Sequence, residues 1–225
     1  MSRNLTLFDL DGTLLPTDSD HAFGEFLVQI GWADGEAHRR DNDRFYADYM
    51  AGRLDMAAYV DFATAPWRRR SASELAAVTQ RFLTEVARPA LHPAALDLVR
   101  RHRDTGDLLA IVTATNDFVT RPFAELFGIE HLIATELARD PAGRPTGAIR
   151  GTPSFRDGKI ARVDDWLAGL GQSMSDFGCC TFYSDSTNDL PLLERVSHPV
   201  ATNPVPALAA IAAERGWPVL HLFNT

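Results

Sequence analysis

Two aspartates two residues apart, Asp9 and Asp11, close a short apolar run and lead straight into Gly12 and Thr13, in the octapeptide LFDLDGTL. An apolar run of this length suits a buried strand, and residues i and i+2 of a strand face the same side. Both carboxylates can therefore meet one reaction centre where the strand ends. Such a pair can bind a hard cation or divide the roles of nucleophile and acid/base. A tight Asp-Gly turn would use the same residues without chemistry.

Three later places carry matching chemistry. The apolar run 108–113 ends in Thr113, with Thr115 and Asn116 just beyond. A hydroxyl and backbone N–H groups there can hold an anion at the start of the next helix; Thr115 or Asn116 can equally serve as a plain helix cap. Asp185 and Asp189, with Asn188 between them, crowd a second strand-to-helix junction. One cap suffices there, and the surplus acid calls for a cation. Lys159 stands near a helix start, where a positive charge opposes the helix dipole. Beside four carboxylates it can hold phosphate oxygens; otherwise it is a solvated surface lysine.

The elements that position these residues follow from periodicity. A strand covers 5–8. Residues 19 to about 88 carry helical spacing and no strand: 19–30 stopped by Gly31, Phe45 to Met50 up to Gly52, Leu54 to Phe62 before Pro66, and a fourth helix ended by Pro89. Ser71 and Glu74 form a capping-box pattern for that fourth helix. Beyond residue 90 strands and helices alternate: helix 93–105, strand 108–113, helix 118–127, strand 132–135, a hairpin over 136–150, helix 159–170, strand 181–184, helix 190–196, strand 199–202, helix 207–215 and strand 219–222. Alternation of this kind predicts an α/β fold, a three-layer Rossmann-like parallel sheet, whose ligands collect at the carboxyl ends of the strands.

The 225 residues suffice for one large domain or a core with a smaller partner. A net charge of −8 opposes binding to nucleic acid and to anionic membrane surfaces. No run approaches the ~18 apolar residues of a membrane helix, and the N-terminal apolar stretch is too short for a signal peptide. A cytoplasmic protein is expected. The two cysteines, Cys179 and Cys180, are adjacent, which suits packing better than a disulfide. None of the seven histidines forms a metal-spaced pair, and none is assigned to chemistry.

Together, DLDGT, Thr113, Lys159 and the Asp185/Asp189 pair resemble the four ordered motifs of the haloacid dehalogenase-like (HAD) phosphohydrolase superfamily. TATNDFVTRPFAELFGI, TGAIRGTPSF and YSDSTNDLPLL resemble its phosphoserine-phosphatase-like branch. The resemblance implies a core of residues 1–15 and 89–225 with an all-helical cap inserted at 16–88. It implies Asp9 as the nucleophile that forms an aspartyl-phosphate and Asp11 as the acid/base. Mg2+ would be held by the carboxylates of Asp9 and Asp185 and the backbone carbonyl of Asp11. Thr113 and Lys159 would bind phosphoryl oxygens, and Asn188 and Asp189 would orient Lys159, metal waters or phosphate. Thr115 and Asn116 would lie against the substrate.

The substrate is expected to be a small phosphorylated metabolite, with choice residing in 16–88. Asp18, with Asp20 nearby, stands where the branch carries a glutamate for an amino group. Met50 and Met56 align with the substrate-facing cap helix. The arginine that would take a substrate carboxylate falls at about Ala63, with Arg68, Arg69 and Arg70 close by as a solvated run or a replacement. This departure favours an amine without a carboxylate, such as histidinol phosphate, over phosphoserine. Arg100 to Arg103 suit a dipole-complementing helix end. Two alternatives remain open at this level: phosphoryl transfer to an acceptor other than water, and a fold that binds phosphate without turnover. A monomer is expected.

Overall fold

A computed structural model describes residues 3–223. Six strands form one parallel sheet in the order β3-β2-β1-β6-β7-β8: β1 (Leu5–Phe8), β2 (Leu108–Asn116), β3 (His131–Thr135), β6 (Cys180–Ser184), β7 (His198–Thr202) and β8 (Val219–Leu220). β1 is central, paired in register with β2 on one side (Leu7 with Ala110) and β6 on the other (Leu7 with Phe182). The chain fills β2 and β3 on one side, then crosses to build β6, β7 and β8 on the other. That reversal opens a crevice beyond the carboxyl end of β1, where such sheets bind ligands. An antiparallel hairpin, β4 (Leu137–Arg139) with β5 (Pro145–Ile149), follows β3 as expected.

Alternation along the strands divides the core into two layers. Leu5, Leu7, Leu108, Ala110 and Val112 pack with Val163 and Leu167 of α8 (Asp157–Gly169), Leu192 and Leu193 of α9 (Leu190–Arg195), and Leu208 and Ala212 of α10 (Pro206–Arg215). Phe8, Leu109 and Ile111 face the other way. They meet Leu98 and Val99 of α6 (Pro93–Asp104) and Phe123 and Phe127 of α7 (Asp117–Phe127). A sheet buried on both faces needs near-continuous apolar strands, which these are.

Between β1 and β2 run α1 (Ser19–Gln29), α2 (Gly35–Met50), α3 (Met56–Thr64) and α4 (Ala72–Phe82). Aromatic packing ties them to α7: Trp67 stacks on Phe118 at 4.2 Å between centroids, and Phe23 meets Phe82 edge-on at 4.9 Å. The Ser71–Glu74 capping box forms.

Four expected boundaries move. β2 runs three residues past Thr113, because Asn116 still pairs with Thr135 and Thr135 Oγ1 donates to the Ala114 carbonyl. α2 begins at Gly35 rather than near Phe45; its first half is polar, and Asp34 caps it. Pro89 does not end the fourth helix. α4 continues through a π-helical turn, Leu83–Ala87, into α5 (Arg88–Ala90), and Arg88 N–H reaches back five residues to Leu83. Proline follows where the helical bonding has already shifted. The last strand ends at Leu220 rather than 222.

Candidate active site

Asp9 follows β1 directly, its N–H still donating to the Tyr183 carbonyl of β6. Lys159, the third residue of α8, reaches the same point. Its Nζ lies 2.8 Å from Asp9 Oδ1 and 2.8 Å from Asp189 Oδ2, and all three side chains are buried. Burial lowers the proton affinity of Lys159, but the charges of Asp189 and Asp9 outweigh it, so the ammonium is held above its usual range. A surface role for Lys159 is excluded. Ser184 Oγ donates to Asp189 Oδ2 and fixes the third member. The other oxygen, Asp189 Oδ1, sits 2.7 Å from Nζ without hydrogen-bond geometry and has no other partner.

Asp11 is held apart from this triad. Its carboxylate accepts from the Ser19 N–H at 2.7 Å and from the hydroxyl of Thr115 at 3.0 Å; Thr113 Oγ1 lies 3.4 Å away. Burial pushes both Asp9 and Asp11 up to about 7, although Lys159 pulls Asp9 down and the Ser19 and Thr115 bonds pull Asp11 down. A carboxyl poised there can both give and take a proton near neutral pH.

Asp185 completes the acid cluster. Burial first, then the charges of Asp9 and Asp189, hold its carboxyl well above the usual range. Ser186 caps the turn that follows, accepting from Asn188 N–H, so neither Asp185 nor Asp189 serves as a cap. Gly12 makes room for Asp185. It has φ +74°, and a Cβ there would fall 2.3 Å from Asp185 Oδ2. Thr13 Oγ1 donates to Asp185 Oδ1 at 3.2 Å, and Asn203 Nδ2 holds the Gly12 and Thr13 carbonyls.

This donor set fits a hard cation. It is all oxygen, its buried carboxylates exceed the single lysine charge, and the absence of a side chain at Gly12 lets the Asp185 carboxylate approach. Among the described residues no group of three or more acidic, histidine or cysteine side chains is placed to hold a metal ion by itself. Mg2+ does not require one, since it commonly takes one or two carboxylates and keeps water and substrate oxygens.

A cavity opens from Asp11 toward the helices. Asp18, Asp20, His21, Asn42, Phe45 and Tyr46 line it, with Tyr49, Leu54, Met56, Tyr59, Ala114 and Thr115. Asp18 is the N-cap of α1, accepting from His21 N–H at 2.8 Å, and it also faces the cavity. Asp20 accepts from Tyr59 Oη at 2.8 Å and from Asn116 Nδ2 at 3.3 Å, which binds α1, α3 and the end of β2 together. Burial raises Asp18 and Asp20 to about 6. Asn116, not Thr115, caps α7, through Val119 N–H.

One expected contact, that of Met50, does not form. Met50 is 45% exposed and lies outside the cavity lining; Tyr49, one residue earlier on α2, lines the cavity, and Tyr46 lines it while remaining 44% exposed. Arg68 pairs with Asp61, and Arg68 and Arg69 line a separate groove with Asp140 and Arg144. Arg70 lies over Trp32 and beside Glu74. Sequence reasoning assigned no histidine to the site, yet His21 lines the cavity, as do Asn42 and Tyr59. The signal available was helical spacing: His21 follows Asp18 by one turn.

The family model for haloacid dehalogenase-like hydrolases matches residues 6–194. A protein of Neisseria meningitidis serogroup C named histidinol-phosphatase is 44% identical over 219 residues, spanning 97% of this chain and 99% of that protein. A crystal structure of a protein of unknown function from Bordetella pertussis Tohama I shares 50% identity over 99% of this chain and all of that one, with a TM-score of 0.93. A substrate-bound phosphoserine phosphatase complex is 15% identical, covers 98% of this chain and 93% of its own, and superposes with a TM-score of 0.68, a likeness of fold. The chain thus belongs to the haloacid dehalogenase-like hydrolase family, as a phosphatase with the phosphoserine-phosphatase-like fold.

Proposed function

We propose that this phosphatase uses Mg2+ and a covalent aspartyl-phosphate on Asp9 to hydrolyse a small phosphomonoester that bears an amino group and no carboxylate. Histidinol phosphate is favoured over phosphoserine. The observation that carries the reaction is the buried Asp9–Lys159–Asp189 triad beside an Asp11 carboxyl held separately by the Ser19 N–H and the Thr115 hydroxyl. An Asp9 carboxylate oxygen attacks phosphorus as the P–O bond to the leaving group breaks, and Asp11 protonates the leaving-group oxygen to give the alcohol. Asp11 then takes a proton from the water that attacks the phosphorylated Asp9, and inorganic phosphate leaves. The two steps replace one difficult displacement.

Thr113 and Lys159 hold the phosphoryl oxygens, and Asp189 keeps Lys159 aimed. Asp9, Asp185 and the backbone carbonyl of Asp11 are the residues that would hold Mg2+. When bound, the ion offsets repulsion between the phosphoryl group and the carboxylates around it. Residues 16–88 act as a cap over the core segments 1–15 and 89–225, excluding water from the reacting groups. The expected place of action is the cytoplasm.

Substrate choice rests on the cavity. Asp18 and Asp20 bring negative charge, and Phe45, Tyr46, Tyr49 and Tyr59 bring aromatic faces that attract a cation. Thr115, Asn116 and Met56 complete the leaving-group side. Among the described residues no lysine or arginine lines the cavity, so no permanent cation there answers a carboxylate. The name of the Neisseria relative supports the same substrate. Phosphate release from histidinol phosphate, phosphoserine, sugar phosphates and nucleotides tests this, with Mg2+ or chelator and with Asp9→Asn as the blank. Preference for histidinol phosphate supports the reading; preference for phosphoserine, or activity untouched by chelator, contradicts it.

A further inference from the structure

Lys159 begins its helix from a turn that its sequence does not suit. Gly158 N–H donates to the Phe155 carbonyl at 2.9 Å, closing a four-residue turn over residues 155–158. Arg156, the first central residue, has φ 53° and ψ −124°. Those are the angles of a type II′ turn, whose first central position belongs to glycine. Arg156 and Asn203 alone among the described non-glycine residues hold a positive φ. A side chain retained in such a conformation is held by its surroundings. Here the surroundings lie across the site. Arg156 Nη1 donates to the Gly52 carbonyl at 2.9 Å, just past the end of α2.

That helix end is docked on the core by three contacts. Arg156 takes the Gly52 carbonyl, Asn188 Nδ2 donates to the Tyr49 carbonyl at 2.9 Å, and the Tyr49 ring meets Phe155 at 5.8 Å. The last carbonyls of a helix lack partners within it and carry partial negative charge. The Asn188 amide adds a second bond to the Tyr49 carbonyl, which already accepts from the Gly52 N–H, and the guanidinium takes the Gly52 carbonyl just beyond the helix. Gly52 fits this seat, with φ +68° and a position where a Cβ would stand 3.2 Å from Asn188 Oδ1. The docked turn carries Tyr49, which lines the cavity, while Lys159 N–H donates to the Arg156 carbonyl at 3.0 Å.

We propose that Arg156 is a positioning residue that latches the C-terminal end of α2 over the active site, so that one strained turn sets both the lysine helix and the cavity wall. The activity arm of its test rests on the phosphatase reading above; the exchange arm does not. Arg156→Gly suits the turn and removes only the latch. The latch predicts faster hydrogen exchange at the amides of residues 49–53, unchanged or higher thermal stability, and a KM for p-nitrophenyl phosphate raised roughly three- to tenfold with kcat less affected. Lower stability with KM and exchange at 49–53 as in the parent would make Arg156 merely structural and overturn the proposal. So would unchanged exchange alone. Faster exchange in a protein whose parent form is inactive on phosphomonoesters would keep the latch and refute the phosphatase reading.

Discussion

Lys159 Nζ lies 2.8 Å from Asp9 Oδ1 inside the core, so the cation proposed to hold the substrate phosphate is also the counter-charge of the proposed nucleophile. Removing one member of a buried ion pair leaves the other uncompensated. Lys159→Met should therefore cost about 3–5 kcal/mol of stability. Turnover should fall by about a thousandfold or more, since a fixed charge at a phosphoryl group is lost. Urea denaturation and phosphate release measure the two losses. Asp9→Asn should be milder for stability and as severe for activity.

Asp20 gives a pH signature of the opposite kind. Burial raises its carboxyl from 3.8 to about 6, with Tyr59 and Asn116 bonds pulling it down. The folded protein therefore binds this proton more tightly than the unfolded chain, and between pH 3.8 and about 6 stability falls as pH rises. Above that window the penalty is complete. Asp20→Asn should stabilise the protein at pH 7 by up to ~3 kcal/mol, and the gain should shrink toward zero at pH 4. Thermal melts at both pH values check it.

Asp18 separates cap from ligand. Asparagine caps a helix about as well as aspartate, so Asp18→Asn should leave α1 intact while removing a negative charge from the cavity. KM for histidinol phosphate should rise about tenfold, the cost of one weakened charge pair, with KM for p-nitrophenyl phosphate little changed. Steady-state kinetics on both substrates give the answer.

Gly12 tests the seat proposed for the metal. Its φ of +74° disfavours any side chain, and an added Cβ would collide with Asp185 Oδ2. Gly12→Ala should displace Asp185 and raise the Mg2+ concentration needed for half-maximal activity by roughly tenfold or more. A Mg2+ titration of phosphate release reads this directly.

The parts legible in the sequence are those fixed by neighbours along the chain. Asp9, Thr113 and Asp185 each follow an apolar run, and a parallel sheet gathers such strand ends at one crevice. Lys159 was legible only through motif order. By itself a lysine in a first helical turn suggests solvent, and its burial depends on Asp9 and Asp189, 150 and 30 residues away. The cavity was less legible still. Its wall is built by α2 and α3 packing on α1, so His21, Asn42 and Tyr59 become neighbours through tertiary contacts that spacing does not encode. Met50 and Tyr49 differ by one residue and about 100° around the helix, which suffices to send one to solvent and the other inward. Asp18 is both helix cap and cavity wall, and only the second role was read from the sequence.

The central claim is that Asp9 takes the phosphoryl group. The most direct measurement is mass analysis of the protein acid-quenched during turnover of histidinol phosphate with Mg2+. The account predicts one phosphoryl group on the peptide that contains Asp9, absent in Asp9→Asn. A phosphoryl group at another residue, or full turnover by Asp9→Asn, would contradict it.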